Sequence, residues 1–192
     1  MTVRPLCIAL FAALAVPSFV AAQAQHAHVH GQAFVDVAVD AGVVEINLRA
    51  TAQDLVGFER DAATPEEEAQ VLAARKAVLD HARLWQFNAA ARCVAEGPVL
   101  EVPGAGEAHD HDHDHSHDHD HDHEGHDDHV AHSDWTVRYR FRCAAPEALR
   151  AIDSGMFAVF PSLQSATVQV LDATGAREET LTASANRLAL AQ

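Results

Sequence analysis

Positive charge is scarce in this chain: 13 lysines and arginines face 28 aspartates and glutamates over 192 residues, a formal net charge of −15. A surface of that sign repels phosphate, which argues against nucleic acid and anionic membrane surfaces as partners and suits the handling of cations. Sulfur is scarce too, with 3 cysteines and 2 methionines. Beyond the first stretch only Cys93, Cys143 and Met156 carry it, and that inventory disfavours a soft Cu(I) site. Long apolar runs are missing: the one near the start, Leu6 to about Val16, is short of the roughly 20 residues that span a bilayer. There is no HExxH, no Ser/His/Asp arrangement and no general base at a useful spacing, so no catalytic residue is expected and the chain reads as a binding protein rather than an enzyme.

What the chain has in excess is histidine, 15 in all. Residues 109–132 read HDHDHDHSHDHDHDHEGHDDHVAH and hold eleven histidines and nine carboxylates. Neutral imidazole is the commonest ligand for borderline divalent metals, and histidine-rich tracts bind them by composition alone. In an extended segment residues two apart project to the same side. His109, His111, His113, His115, His117, His119, His121 and His123 therefore present one imidazole face, with His126, His129 and His132 following. The alternating aspartates can ligate, accept a ring N–H from a bound histidine, or raise the local cation concentration. Without metal, charge repulsion and the lack of apolar side chains predict a disordered insertion. Several overlapping, interchangeable sites of modest affinity are expected rather than one fixed cage. The plainer reading is a solvated acidic linker that responds to pH, since free histidine titrates near ~6.5.

The opening segment, MTVRPLCIALFAALAVPSFVAAQAQ, places Arg4 before the apolar run and small residues after it, the pattern of a signal peptide spanning 1–24, with cleavage after Ala22 or Ala24. Export to an oxidising compartment makes a Cys93–Cys143 disulfide the default for the two remaining cysteines. A bridge closing a loop of that size stabilises by ~4 kcal/mol on the chain-entropy account. Two thiolate zinc ligands are the competing reading, and they require reduced cysteines outside the cytoplasm.

Periodicity divides the rest into segments 25–104 and 133–192 around the insertion 105–132. QAFVDVAVD and VVEINLRA alternate about Ala41-Gly42 and predict a β-hairpin. Thr64-Pro65-Glu66-Glu67 carries a helix start with a capping box. The helix is expected to run to about Trp85, burying Val71, Leu72, Val78, Leu79, Ala82 and Trp85. Val94 to Val102 suggests a strand interrupted at Gly97-Pro98. DWTVRYRFRC puts Trp135, Val137, Tyr139, Phe141 and Cys143 on one strand face and Arg138, Arg140 and Arg142 on the other. The arginines read as a solvent-facing row pairing with local acids, or more sharply as a docking surface. Pro146-Glu147 predicts a short helix through Ile152, Met156 to Phe160 a further helical turn, and ATVQVLDA with EETLTA a hairpin around Thr174-Gly175. The fold class is α+β, with packed helices on a largely antiparallel sheet and the two segments as small pseudo-symmetric α/β subdomains.

A second constellation lies near the N-terminus. His26, His28 and His30 occur as HAHVHG, the spacing that aligns imidazoles in an extended chain. Three histidines fill three positions of a tetrahedral zinc site, leaving the fourth to water or a carboxylate. If the first strand pairs beside the one starting at Trp135, His132 and Asp134 become partners of this cluster. A frayed terminus that binds weakly is the alternative. His81, on a helix flank, reads mainly as a partly buried polar side chain, and Glu59 and Asp61 as loop acids able to lend a carboxylate.

The ordered set HxHVHGxA (His26 to Ala33), DLVGFE (Asp54 to Glu59), AAxC (Ala90 to Cys93), the His/Asp-rich insertion, H-S-D-W-x-V-x-Y-x-F-x-C (His132 to Cys143) and MFxxFPxLxxxxVQ (Met156 to Gln169) resembles the ZrgA-type periplasmic zinc-uptake proteins of Gram-negative bacteria. The likeness covers nearly all of the chain after the leader. It implies an auxiliary periplasmic zinc protein, repressed by zinc, that assists an ABC-type importer, with the first histidines and those of the insertion as metal ligands.

Ligand chemistry taken separately allows Zn(II), Ni(II), Co(II) and Cu(II), and Cu(II) is expected to bind tightest in vitro whatever the biological cargo. Two roles follow: capture of Zn(II) for delivery to the importer, or a periplasmic buffer against excess divalent metal without a delivery partner. Induction by zinc starvation marks the first, induction by metal excess the second. Binding requires neutral imidazole, so tract-bound zinc is expected to dissociate as pH falls from about 7 to about 5.

Overall fold

The computed structural model describes residues 29–101 and 134–191. The leader, His26, His28, and the insertion with His109 through His132 lie outside the described residues, as do Val102 and Gln192.

The first hairpin forms as its alternation requires. Strand β1 (Gln32–Asp40) and strand β2 (Val43–Thr51) pair antiparallel from Phe34↔Arg49 to Asp40↔Val43. The two-residue connection places Ala41 at φ 46° and Gly42 at φ 81°, the doubly left-handed turn whose twist matches that of the flanking strands. Ala33, Val35, Val37, Val44, Ile46 and Leu48 are buried on the inner face.

At Thr51 the chain turns into the short helix α1 (Ala52–Leu55), which ends in a left-handed Gly57, φ 106°. Helix α2 (Pro65–Leu79) starts at Thr64, whose hydroxyl accepts from the Glu67 N–H. The Glu67 carboxylate reaches back one residue further than a capping box requires, accepting from the Ala63 N–H at 2.7 Å.

The expected run to Trp85 is interrupted at Asp80, which leaves helical geometry (ψ 72°) and accepts from the Arg83 N–H to cap a separate helix α3 (His81–Leu84). A short aspartate side chain competes in this way with helix continuation. The buried stripe shifts accordingly. Ala74, Val78, Leu84 and Trp85 pack inward, whereas Leu72 is 66% exposed and Leu79 also faces water.

Strands β3 (Trp85–Phe87), β4 (Cys93–Ala95) and β5 (Val99–Glu101) follow. Across the insertion, strand β6 (Asp134–Cys143) buries Trp135, Val137, Tyr139, Phe141 and Cys143, the face its alternation marks. The segment after Pro146 differs from expectation: a single 3-10 turn at Pro146–Ala148 gives way to strand β7 (Ala151–Ser154). Ala151 and Ile152 are needed there to pair with the small sheet, and such short apolar runs do not distinguish helix from strand by periodicity. Helix α4 (Met156–Val159), strands β8 (Ser165–Asp172) and β9 (Gly175–Thr182), and strand β10 (Arg187–Ala189) complete the chain.

The large sheet has the order β4-β6-β2-β1-β8-β9, with β5 also on β6, and the small one the order β10-β7-β3. Among the described residues only the β1–β8 pair is parallel. The fold is thus α+β with a largely antiparallel sheet. Segments before and after the insertion contribute strands to the same sheet and side chains to one core. Tyr139 ties the layers together: its hydroxyl donates to the Val78 carbonyl at 2.6 Å and its ring meets Trp85 edge-on at 5.8 Å. Burial pushes this phenol well above its ordinary pKa. Cys93 and Cys143 form a disulfide between register partners on β4 and β6.

Candidate metal centre

Register brings the chemically interesting segments to one end of the large sheet. The start of β1, the end of β2 and the starts of β6 and β8 coincide there, because Gln32 pairs with Ser165 and Thr51 with Asp134. The described residues that flank the insertion, Glu101 and Asp134, both lie at this end, Glu101 as the register partner of Thr136. His28 immediately precedes Val29, and His132 lies two residues before Asp134. Strand β1 is not beside β6, however; β2 lies between them. Proximity arises instead at the strand ends, where Val29, Gln32, Phe34, Arg49, Thr51 and Asp134 line a cleft of about 40 Å³.

Gly31 fixes the entry into β1. It adopts φ 81°, a left-handed conformation that strains a residue carrying a Cβ. Its carbonyl accepts from the N–H groups of Gln164 (2.8 Å) and Ser165 (3.1 Å), and its N–H donates to Asp54 Oδ1 at 2.7 Å. Asp54 is only 4% exposed. Its second oxygen accepts from the Thr51 hydroxyl at 3.0 Å, while the Asp54 N–H donates to Thr51 Oγ1 at 3.2 Å. One buried carboxylate therefore locks the turn bearing His30 to the β2–α1 corner, whose Thr51 is the register partner of Asp134. Burying a charge is costly unless it is hydrogen-bonded, and here both oxygens are. In the sequence, the helix-capping pattern Thr51-x-x-Asp54 is the local signal that marks Asp54.

His30 is exposed, and its Nδ1 lies 3.8 Å from Oε1 of Glu59, a side chain only 15% exposed. Imidazole and carboxylate together are the donor set of a borderline divalent cation such as Zn(II). Among the described residues no three His, Cys, Asp or Glu side chains converge on a single point. His30 and Glu59 are brought together, and Asp134 stands at the same end of the sheet. Asp61 is exposed. His81 packs edge-on against the Phe141 ring at 6.0 Å, which accounts for it as a packing residue.

The arginine row on the outer face of β6 pairs with local acids. Arg138 binds Glu101, Arg140 binds Glu45 and Glu96, and Arg142 Nε reaches Glu96 at 2.9 Å. The hydrogen bond from Arg142, aided by that from Arg140, holds the Glu96 carboxyl below its ordinary pKa against the opposing effect of burial. Glu45, Glu96, Arg138 and Arg140 border a hollow of about 810 Å³ across the outer sheet face. No helix among the described residues is long and apolar enough to cross a membrane.

Residues 27–190 match the family described as ZrgA family zinc uptake protein. No curated protein matches the chain.

Proposed function

The chain belongs to the ZrgA family of zinc uptake proteins, and from that premise we propose that it is a periplasmic zinc-binding protein that captures Zn(II) and assists its delivery to a component of an ABC-type zinc importer. In this reading the leader directs export, the His/Asp-rich insertion collects ions, and the histidines at the start of β1 hold an ion for transfer. The chain acts as a binding protein with no catalytic step.

The observation that carries the reading is the convergence at one sheet end. The histidine-bearing segment before β1 and the insertion both join the fold there, beside His30, Glu59 and Asp134. An ion collected by the insertion then has a short path to the histidines of the first turn, and the acidic surroundings favour cations at both. The cysteines take no part in binding, since they are joined to each other. The cargo is Zn(II); Ni(II), Co(II) and Cu(II) bind the same donor types in vitro.

The test is growth of cells lacking the chain under zinc chelation. A deficit restored by added zinc and by the intact gene supports uptake. Normal growth under chelation, together with sensitivity to excess nickel, cobalt, copper or zinc, would establish the buffering role instead.

A further inference from the structure

We propose that Glu59 is itself a metal ligand, supplying a carboxylate oxygen to the ion that His30 holds. This rests on the reading above, that the histidines at the start of β1 bind zinc.

The loop carrying Glu59 is fixed on both sides. Before it, Gly57 adopts φ 106° and donates to the carbonyls of Gln53 (3.0 Å) and Ala52 (3.3 Å), which ends α1 and turns the chain back toward β1. Behind it, Arg60 stacks on Phe58 at 5.2 Å and binds Glu67, with Nη1 at 2.8 Å from Oε2. The cation next in sequence is thus held by Glu67. On the opposite side, Asp54 and the start of β8 hold Gly31 and so place His30. Glu59 and His30 are presented to each other by two braced segments that share α1 as a common support.

The geometry of the pair fits shared coordination. At 3.8 Å the contact is longer than a hydrogen bond. Two donors about 2.0–2.1 Å from a tetrahedral zinc lie roughly 3.3 Å apart, so a shift of about half an ångström closes the pair on an ion, and the exposed imidazole has room to make it. A carboxylate mostly withdrawn from water gains more from a bound cation than a solvated one does. A hard oxygen donor among imidazoles also favours Zn(II) over soft Cu(I).

The experiment uses the full mature chain with one equivalent or less of Zn(II) or Co(II), so that the tightest site fills first. Affinity is read by chelator competition, and coordination by the visible Co(II) bands. His30→Ala and Glu59→Gln are each expected to weaken the tightest site by at least about tenfold, as loss of a partner of a metal centre does. Glu59→Gln is also expected to change the Co(II) bands, while Glu59→His, which restores a donor, recovers affinity. Circular dichroism and thermal melts confirm that each variant is folded. If His30→Ala binds as the wild type does, the zinc site at β1 is wrong and the assignment falls with it. If His30→Ala weakens binding but Glu59→Gln does not, the site stands and Glu59 is no ligand. Weaker binding in Glu59→Gln with unchanged Co(II) bands and no recovery in Glu59→His also overturns the assignment.

Discussion

Replacing Asp54 by alanine removes a buried carboxylate that joins the His30 turn to the β2–α1 corner. Its carboxylate accepts at 2.7 Å from the Gly31 N–H and at 3.0 Å from the Thr51 hydroxyl, and it is 4% exposed. Hydrogen bonds to a charged group contribute ~1.5–3 kcal/mol each. The Thr51 hydroxyl still caps α1 through the residue-54 N–H, and water reaches part of the vacated space. A net loss of about 2–4 kcal/mol is therefore expected, below the sum of the two bonds. Asp54→Asn keeps an acceptor for Gly31 and is expected to lose about 1 kcal/mol. Urea titrations read this as a lower midpoint at unchanged slope. Amide exchange at Gly31 supplies the local readout, with protection lost in Asp54→Ala and kept in Asp54→Asn. An alanine variant within about 0.5 kcal/mol of the wild type, with Gly31 still protected, would refute the claim that Asp54 secures this turn.

Three further perturbations test the framework. Cys93→Ser with Cys143→Ser opens a bridge of sequence separation 50; on the chain-entropy account stability falls by up to about 4 kcal/mol, and a loss near zero in denaturant titrations would contradict it. Gly155→Ala places a Cβ 2.0 Å from the Arg83 carbonyl oxygen, a backbone atom that cannot swing away; a loss of about 1–3 kcal/mol or more is expected as a lowered melting temperature, and an unchanged melt would mean that α3 and α4 shift apart freely. Acid stability provides the third. Burial raises the Asp172 carboxyl, but hydrogen bonds from Thr174, Arg177 and the Ala191 N–H outweigh it and leave the group below its ordinary range, while hydrogen bonds from Arg60 and the Ala63 N–H bring Glu67 from 4.5 to about 2. Both groups bind protons less readily when folded, so their stabilisation is present above about pH 4.5 and is lost as pH falls toward 2. Asp172→Asn should flatten that decline in a series of denaturation midpoints, and an unaltered pH profile would remove Asp172 as a contributor.

The features legible in the sequence are those set by local pattern. Alternation in β1, β2 and β6 marks which side chains face inward, Ala41-Gly42 marks the tight turn, and the even pair of cysteines left after the first stretch points to the bridge. Features that depend on tertiary partners were not legible. The small sheet recruits Ala151 and Ile152 as strand through pairing with β10 and β3, and Asp80 caps α3 instead of continuing α2. Nothing local reveals that β2 separates β1 from β6, or that β8 crosses over to lie parallel to β1. At the candidate site, spacing singled out His30 as a donor, whereas Asp54 and Glu59 acquire their places only when the β2–α1 corner folds against Gly31. Histidine clusters announce themselves by composition; the carboxylates that orient them depend on long-range packing.

The most direct test of the central claim is a zinc competition titration of the mature chain beside two variants, one lacking residues 105–131 and one carrying His30→Ala. A specific receptor at the start of β1 predicts that the shortened variant keeps one tight site, with reduced total capacity, and that His30→Ala removes this site. Loss of all tight binding on removal of 105–131, with no effect of His30→Ala, would make the insertion the functional element and contradict the account.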